Sequence, residues 1–254
     1  MQGDYVSKLA VLILTYNEET NIADCIKSAD FADEIVVIDS GSSDKTVELA
    51  SSLGAHCVHR PMSNGFAGQR NFALTQTSLE WVLFLDADER ITPELAVEIR
   101  QTVAAGNRQG YEILRVNVLF GRTLYHGVHK PDWSLRLYPR DAIKWEGIVH
   151  EQANVSTSVS RLRHNMLHYT YTNWERYFFK FNQYTTLMAE QMRQQGKQAG
   201  FWRDIALRPW FAFLRAYVLK GGFLDGKLGF IMAVYYACYT VTKYVKLYWL
   251  NRKI

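Results

Sequence analysis

Cysteine is scarce in this chain. Cys25, Cys57 and Cys238 are three among 254 residues, odd in number and far apart. That excludes a disulfide scaffold, and no two of them stand at ligand spacing for zinc. The apolar run at 9–14 is six residues long and ends in Tyr16-Asn17-Glu18-Glu19. It is too short for the core of an export signal and lacks a small-residue cleavage site, so the expectation is a protein that stays in the cytoplasm. A second run at 230–241 spans about 18 Å as a helix, against a hydrocarbon core of about 30 Å. Extending it to residue 250 brings in Lys243 and Lys246. No GxGxxG follows the first apolar run and no GxxxxGK[ST] occurs, which disfavours dinucleotide binding and P-loop hydrolysis. Internal repeats and low-complexity linkers are also missing.

What is there suffices for a large core: 48% of residues are hydrophobic and 14% aromatic, with a net charge of only +4. Disorder is excluded on that balance. The charge is unevenly spread. Residues 1–159 hold 14 basic and 21 acidic side chains, a net of −7, and residues 160–254 hold 15 and 4, a net of +11. The second part also has 22 of the 35 aromatics. An acidic first part followed by a basic, aromatic one implies two tasks.

The first hundred residues alternate between short apolar runs and helical spacing. Strands are expected at 9–14, 34–38, 55–59 and 81–85. Helices are expected at 17–28, at 44–53 with Ser42 or Ser43 as N-cap, at 65–76, and at 93–105 with Pro93 in the first turn. Such alternation gives parallel strands, with ligands at their carboxyl ends. Residues 111–155, with strands at 113–119 and 135–138, read as an irregular, partly antiparallel half. Helices are expected at 174–194, 209–219 and 228–250.

Three polar clusters follow three strands: Thr15-Tyr16-Asn17-Glu18, the loop Asp39 to Asp44, and Asp86-Ala87-Asp88-Glu89. Two carboxylates one residue apart after a strand can hold a hard divalent cation that completes its shell with substrate phosphates. The plain alternative is a solvated turn. Asp39 could accept from a base or a ribose hydroxyl, or merely organise its loop. Arg70 could pair with phosphate oxygens, or be a surface arginine. Arg136 and Arg140 alternate with apolar neighbours, as on an edge strand facing an acidic ligand or water.

Taken together, 9–19 (LAVLILTYNEE), 35–46 (IVVIDSGSSDKT), 68–73 (GQRNFA) and 82–90 (VLFLDADER) resemble a family-2 glycosyltransferase of the GT-A fold. The likeness runs over about residues 7–155. The continuations WSLRLYPR (133–140), KWEGIVHE (144–151) and KGGFLDGKLGF (220–230) are similar to the branch that includes bacterial lipopolysaccharide-core glucosyltransferases. The resemblance implies an α/β fold, a Rossmann-like, mostly parallel sheet flanked by helices, with a C-terminal helical, basic and aromatic extension. It implies a catalytic domain over 1–165, with a nucleotide-sugar half (1–100) and an acceptor half (101–165), and an extension over 166–254. Thr15, Asn17 and Glu18 would line the nucleotide pocket. Asp39 would meet the uracil or its ribose, Arg70 the diphosphate and Asp86 the ribose and metal side, and Asp88 would ligate Mg²⁺ or Mn²⁺. Inverting members deprotonate the acceptor with a carboxylate, often in a Glu-Asp pair. This chain lacks that pair, and Glu151, beside His150, or else Asp132 stands in its place. QxxRW is missing, which disfavours polymer synthesis.

The resulting expectation is an inverting, metal-dependent transferase. It would move a sugar, glucose-type by the resemblance, from a UDP-sugar to a cell-envelope glycolipid, lipopolysaccharide-core or other saccharide acceptor. It would sit on the inner face of the cell membrane through its basic tail, without nucleic acid as a partner. Two rivals share parts of the pattern. A sugar nucleotidyltransferase needs an N-terminal glycine-rich, basic loop, which 15–19 is not. A non-catalytic nucleotide-sugar-binding scaffold would leave the acid set without purpose.

Overall fold

A computed structural model describes residues 7–62, 65–147 and 152–252. The chain divides into two units: Met1–Arg115 with Asp132–His168, and Val116–Pro131 with Tyr169–Ile254. Residues 116–131, expected in the acceptor half, therefore cluster with the C-terminal helices. In chain order the elements are β1 (Leu9–Thr15), α1 (Ile22–Ser28), β2 (Glu34–Asp39), α2 (Thr46–Ser52), β3 (His56–His59), α3 (Gly65–Thr75), β4 (Trp81–Asp86), β5 (Glu89–Ile91) and α4 (Pro93–Ala105). There follow β6 (Gly110–Leu119), β7 (Arg122–Leu124), β8 (Asp132–Pro139), β9 (Ile143–Glu146), β10 (Gln152–Val155) and β11 (Val159–Tyr171).

The first unit is a mixed sheet in the order β3-β2-β1-β4-β8-β6-β11-β5. Its first four strands are parallel, and β8 joins β4 antiparallel. β1 is central, and alternate side chains enter two different layers. Leu9, Val11 and Ile13 pack with Ile22, Cys25 and Ile26 of α1 and Leu95 and Ile99 of α4. Ala10 and Leu12 pack with Ala67, Ala73 and Leu74 of α3. Covered on both faces, the strand has to be apolar throughout, hence the unbroken run. α1 is only seven residues long, too short to persist alone, and it is held by this packing. The expected fold class, a sheet flanked by helices with a helical C-terminal region, is the one observed.

The second unit contains the end of β6 paired with β7, α5 (Trp174–Gln194), a helical stretch at 201–219 and α7 (Gly226–Leu250). In the middle of that stretch lies α6 (Arg208–Leu214), flanked by wider π-helical turns at Phe201–Leu207 and Arg215–Leu219. Pro209, without an N–H, cannot continue the preceding hydrogen-bond ladder. α5 and α7 share a small core of Ala189, Met192, Tyr244 and Leu247. The Lys246 ammonium ties them by donating to Asn182 O (3.0 Å) and to Thr186 Oγ1 (2.7 Å). The segment 220–230 makes a tight corner: a Cβ on Gly229 would lie 1.9 Å from Gly222 O. Its Asp225 accepts from His126 N and pairs with the His126 ring, each at 2.9 Å. Gly222 and Gly229 thus serve close backbone approach, while Gly221 and Gly226 take positive φ (+69° and +64°). No helix among the described residues is long and apolar enough to cross a membrane.

Candidate active site

The carboxyl ends of β1, β2 and β4 lie side by side, because Thr15 is in register with Asp39 and Leu14 with Asp86. Asp39 is buried and fixes the loop after β2. Its Oδ2 accepts from Gly41 N and Ser42 N (both 3.0 Å) and its Oδ1 from the Ser42 hydroxyl (2.5 Å). Ser42 Oγ in turn accepts from Asn17 N (2.8 Å), and Ser43 N donates to Asn17 Oδ1 (2.8 Å). Asn17 adopts φ +53°, a left-handed conformation that asparagine tolerates. Glu18 N donates to Thr46 Oγ1 (2.8 Å), while its carboxylate accepts from Asn21 (2.6 Å). Asp39, Asn17 and Glu18 thus lace two strand-end loops together. The serines are drawn into this lattice and do not cap α2 as the sequence suggests; Asp44 accepts from Thr46 N at 3.0 Å instead.

Among the described residues, the buried Thr15 Oγ1 and Gln69 Oε1 have no hydrogen-bond partner. Gln69 Nε2 is spent on Arg60 O (2.7 Å) and Ser40 Oγ (3.1 Å). A buried polar atom left unpaired is costly. Within GQRNFA nothing in the sequence pattern sets Gln69 apart; the fold does, by burying its amide against Ser40 and Arg60.

Asp86 belongs to a chain of alternating charges. Arg70 lies 3.3 Å from Asp86, which lies 2.8 Å from Arg136. Arg136 lies 2.5 Å from Glu89, Glu89 lies 3.4 Å from Arg115, and Arg115 lies 3.0 Å from Asp132. Three acids and three arginines balance. Burial would raise the Asp86 pKa, but the charges of Arg136 and Arg70 outweigh it and hold the carboxyl well below the usual range. Burial pushes Glu89 up, against the pull of Arg136. β8 is an interior strand between β4 and β6. That corrects the edge-strand expectation for Arg136, which is buried against protein carboxylates. Arg140 Nε donates to Leu79 O (3.2 Å). Arg70 is also buried, and its guanidinium lies over the rings of Trp145 (4.8 Å) and Phe84 (5.1 Å).

Asp88 stands apart from this network, with His168 Nε2 3.5 Å from its Oδ2 and both side chains partly exposed. His168, near the end of β11, has no sequence signal, because only pairing of β11 with β5, where it stands in register with Glu89, brings it beside Asp88. No group of three or more His, Cys, Asp or Glu is arranged for a metal among the described residues. A carboxylate and an imidazole nonetheless suit a divalent cation that takes its other ligands from water and phosphate. Asp132 has both oxygens engaged by Arg115, at 3.2 and 3.0 Å. His150 and Glu151 lie outside the described residues.

The model of glycosyl transferase family 2 matches residues 10–208. The lipopolysaccharide core biosynthesis glycosyltransferase LpsC of Rhizobium meliloti is 32% identical over 253 residues, covering 94% of this chain and 92% of LpsC. An uncharacterized glycosyltransferase of Rickettsia typhi, RT0209, is 29% identical over 265 residues, covering 98% of this chain and 89% of its own. Among solved structures, Staphylococcus aureus TarS 1–349 is similar with a TM-score of 0.49 and 18% identity, over 97% of this chain and 91% of that one. Glucosyl-3-phosphoglycerate synthase from Mycobacterium tuberculosis, in complex with Mn²⁺, uridine-diphosphate and glucosyl-3-phosphoglycerate, is similar with a TM-score of 0.40 and 22% identity over 54% of this chain. This chain spans 58% of that synthase.

Proposed function

The chain belongs to glycosyl transferase family 2, has the GT-A fold and is a glycosyltransferase, and from that premise we propose that it inverts and transfers a sugar from a UDP-sugar to a lipopolysaccharide-core or related cell-envelope saccharide. The observation that carries the donor side is Asp88 beside His168, near the strand ends where Thr15 Oγ1 and Gln69 Oε1 lack hydrogen-bond partners among the described residues. The acceptor class leans on the name of LpsC, which matches nearly end to end.

Asp88 and His168 would hold Mn²⁺ or Mg²⁺, and the imidazole favours the former. When bound, the cation would offset charge growing on the departing diphosphate. The chain's own groups do the rest. Thr15 and Gln69 offer a hydroxyl and an amide oxygen to the nucleotide. Asp39, Asn17 and Glu18 hold the loops that wall its base and ribose. Arg70 and Asp86 set the polarity of the floor beneath the diphosphate and ribose. The acceptor hydroxyl loses its proton to Glu151, with His150 orienting the acceptor, because Asp132 already receives two hydrogen bonds from Arg115 and is the weaker candidate.

The test is a panel of nucleotide sugars with Mn²⁺ or Mg²⁺, scored for UDP release with wild type, Asp88→Asn, His168→Ala and Glu151→Gln. Release is expected from a UDP-sugar only with metal. It should fall about a hundredfold in the first two variants, with weakened Mn²⁺ binding seen by electron paramagnetic resonance. Unaltered release and Mn²⁺ affinity in folded Asp88→Asn would reject the donor-side assignment.

A further inference from the structure

The helical stretch 201–219 is built inside out. Its buried positions are Asp204, Pro209, Ala212 and Ala216, all small or polar. Most of its large apolar side chains face outward: Trp202 is 75% exposed, Leu207 67%, Trp210 64% and Leu219 72%. A helix of a water-surrounded domain turns its apolar stripe to the core. A cluster of exposed tryptophan and leucine on one helical stretch marks a surface that something else covers.

A second observation says what that is. A groove of about 540 Å³ runs between this stretch and α7, and Arg203, Arg208, Arg215 and Lys243 line it together with Leu207 and Phe211. No carboxylate is among its lining residues. Two of the arginines are set in place from beneath by buried Asp204, with Arg203 at 2.9 Å and Arg208 at 3.0 Å. Arg208 also donates to the Tyr244 hydroxyl (2.6 Å). Arginines fixed in this way are preorganised for phosphate oxygens. Burial, then the charges of Arg208 and Lys197, hold Lys243 below the ordinary lysine value. Such crowding of like charges is what a bound anion relieves.

We propose that this groove and the aromatic face beside it dock the chain on an anionic membrane surface, the groove taking the phosphate of a lipid headgroup while Trp202, Leu207, Trp210 and Leu219 enter the interface. Cationic side chains beside interfacial tryptophan and leucine are the composition of a surface-lying helix. A nucleic acid would satisfy the arginines but leave Leu207 and Leu219 in water. The proposal goes beyond sugar transfer and does not depend on the donor reading.

The experiment is flotation of the full chain with phosphatidylcholine vesicles, with and without about one third phosphatidylglycerol. The chain should float with the anionic vesicles only, and less as salt rises. Arg215→Glu with Lys243→Glu should lower partitioning by about tenfold or more while leaving UDP release from the donor unchanged. Should that variant fail to fold, brominated lipids provide a second reading. They should quench wild-type tryptophan fluorescence, and the quenching should drop in Trp202→Phe with Trp210→Phe. Equal flotation with neutral vesicles, no flotation with anionic ones, or no bromolipid quenching overturns the proposal. Displacement from vesicles by micromolar glycerol phosphate, or by a single-stranded oligonucleotide, overturns the choice of a membrane as the source of the phosphate.

Discussion

Arg136 lies between two carboxylates, Asp86 and Glu89, and all three belong to one network beneath the strand ends. Removing one partner from a buried ion network leaves the others uncompensated. Arg136→Met should therefore cost about 3–5 kcal/mol in urea unfolding. A loss below about 1 kcal/mol, the surface-pair range, would show the network to be well solvated. Thr15 makes the opposite case. Its buried hydroxyl has no hydrogen-bond partner among the described residues, so Thr15→Val should leave stability unchanged or raise it by up to about 1 kcal/mol. The same change should raise the KM for the UDP-sugar about tenfold if the hydroxyl meets the nucleotide, and an unchanged KM would remove Thr15 from the pocket. Asp86 and Asp88 were legible from sequence, because acids straight after an apolar run have one address in a parallel sheet. Arg136 and His168 were not. Whether β8 is edge or interior, and where β11 ends, depends on pairings far apart in the chain.

Between elements, Glu98 shows how a helix fixes a distant strand. It stands on α4 and accepts from Arg163 N (2.8 Å) and His164 N (2.9 Å) of β11, with the His164 ring at 2.9 Å. Burial would raise its pKa, but the two backbone donors and His164 outweigh that and lower it. A lowered folded value means stability that is intact above the ordinary glutamate pKa of about 4.3 and lost as the pH falls below it through the folded value. Glu98→Gln should cost about 1–2 kcal/mol near neutrality. The two proteins' unfolding curves should converge in acid, and a constant gap down to the acid limb would refute the linkage. The same contest between local and distant partners explains the helix boundaries. The helix expected from residue 17 starts at Ile22, since Asn17 and Glu18 serve the loop lattice. α5 matches its expected span of 174–194, because its period is unbroken and the Asn173 side chain accepts from Arg176 N.

At the level of the whole molecule, the uneven charge was the part most legible in advance and the partition into units the least. Net charge is a sum over sequence, whereas the clustering of 116–131 with the helices that begin after residue 169 is a matter of contacts. The charges lead to a test of whether the two tasks are separable. Apart from His168, the proposed donor site lies within residues 1–159, at net −7, and the ion pairs around Asp86 are largely buried. Residues 160–254, at net +11, hold the exposed cations of the proposed membrane face. Salt screens exposed charges over a Debye length of about 10 Å at 0.1 M and about 3 Å at 1 M, but reaches buried pairs far less. Raising potassium chloride from about 0.05 to 0.5 M should thus cut partitioning to anionic vesicles by an order of magnitude or more, while UDP release from the water-soluble donor changes less than about twofold. Parallel decline of both would mean that donor turnover itself depends on exposed charge, and that the network around Asp86 is open to solvent ions.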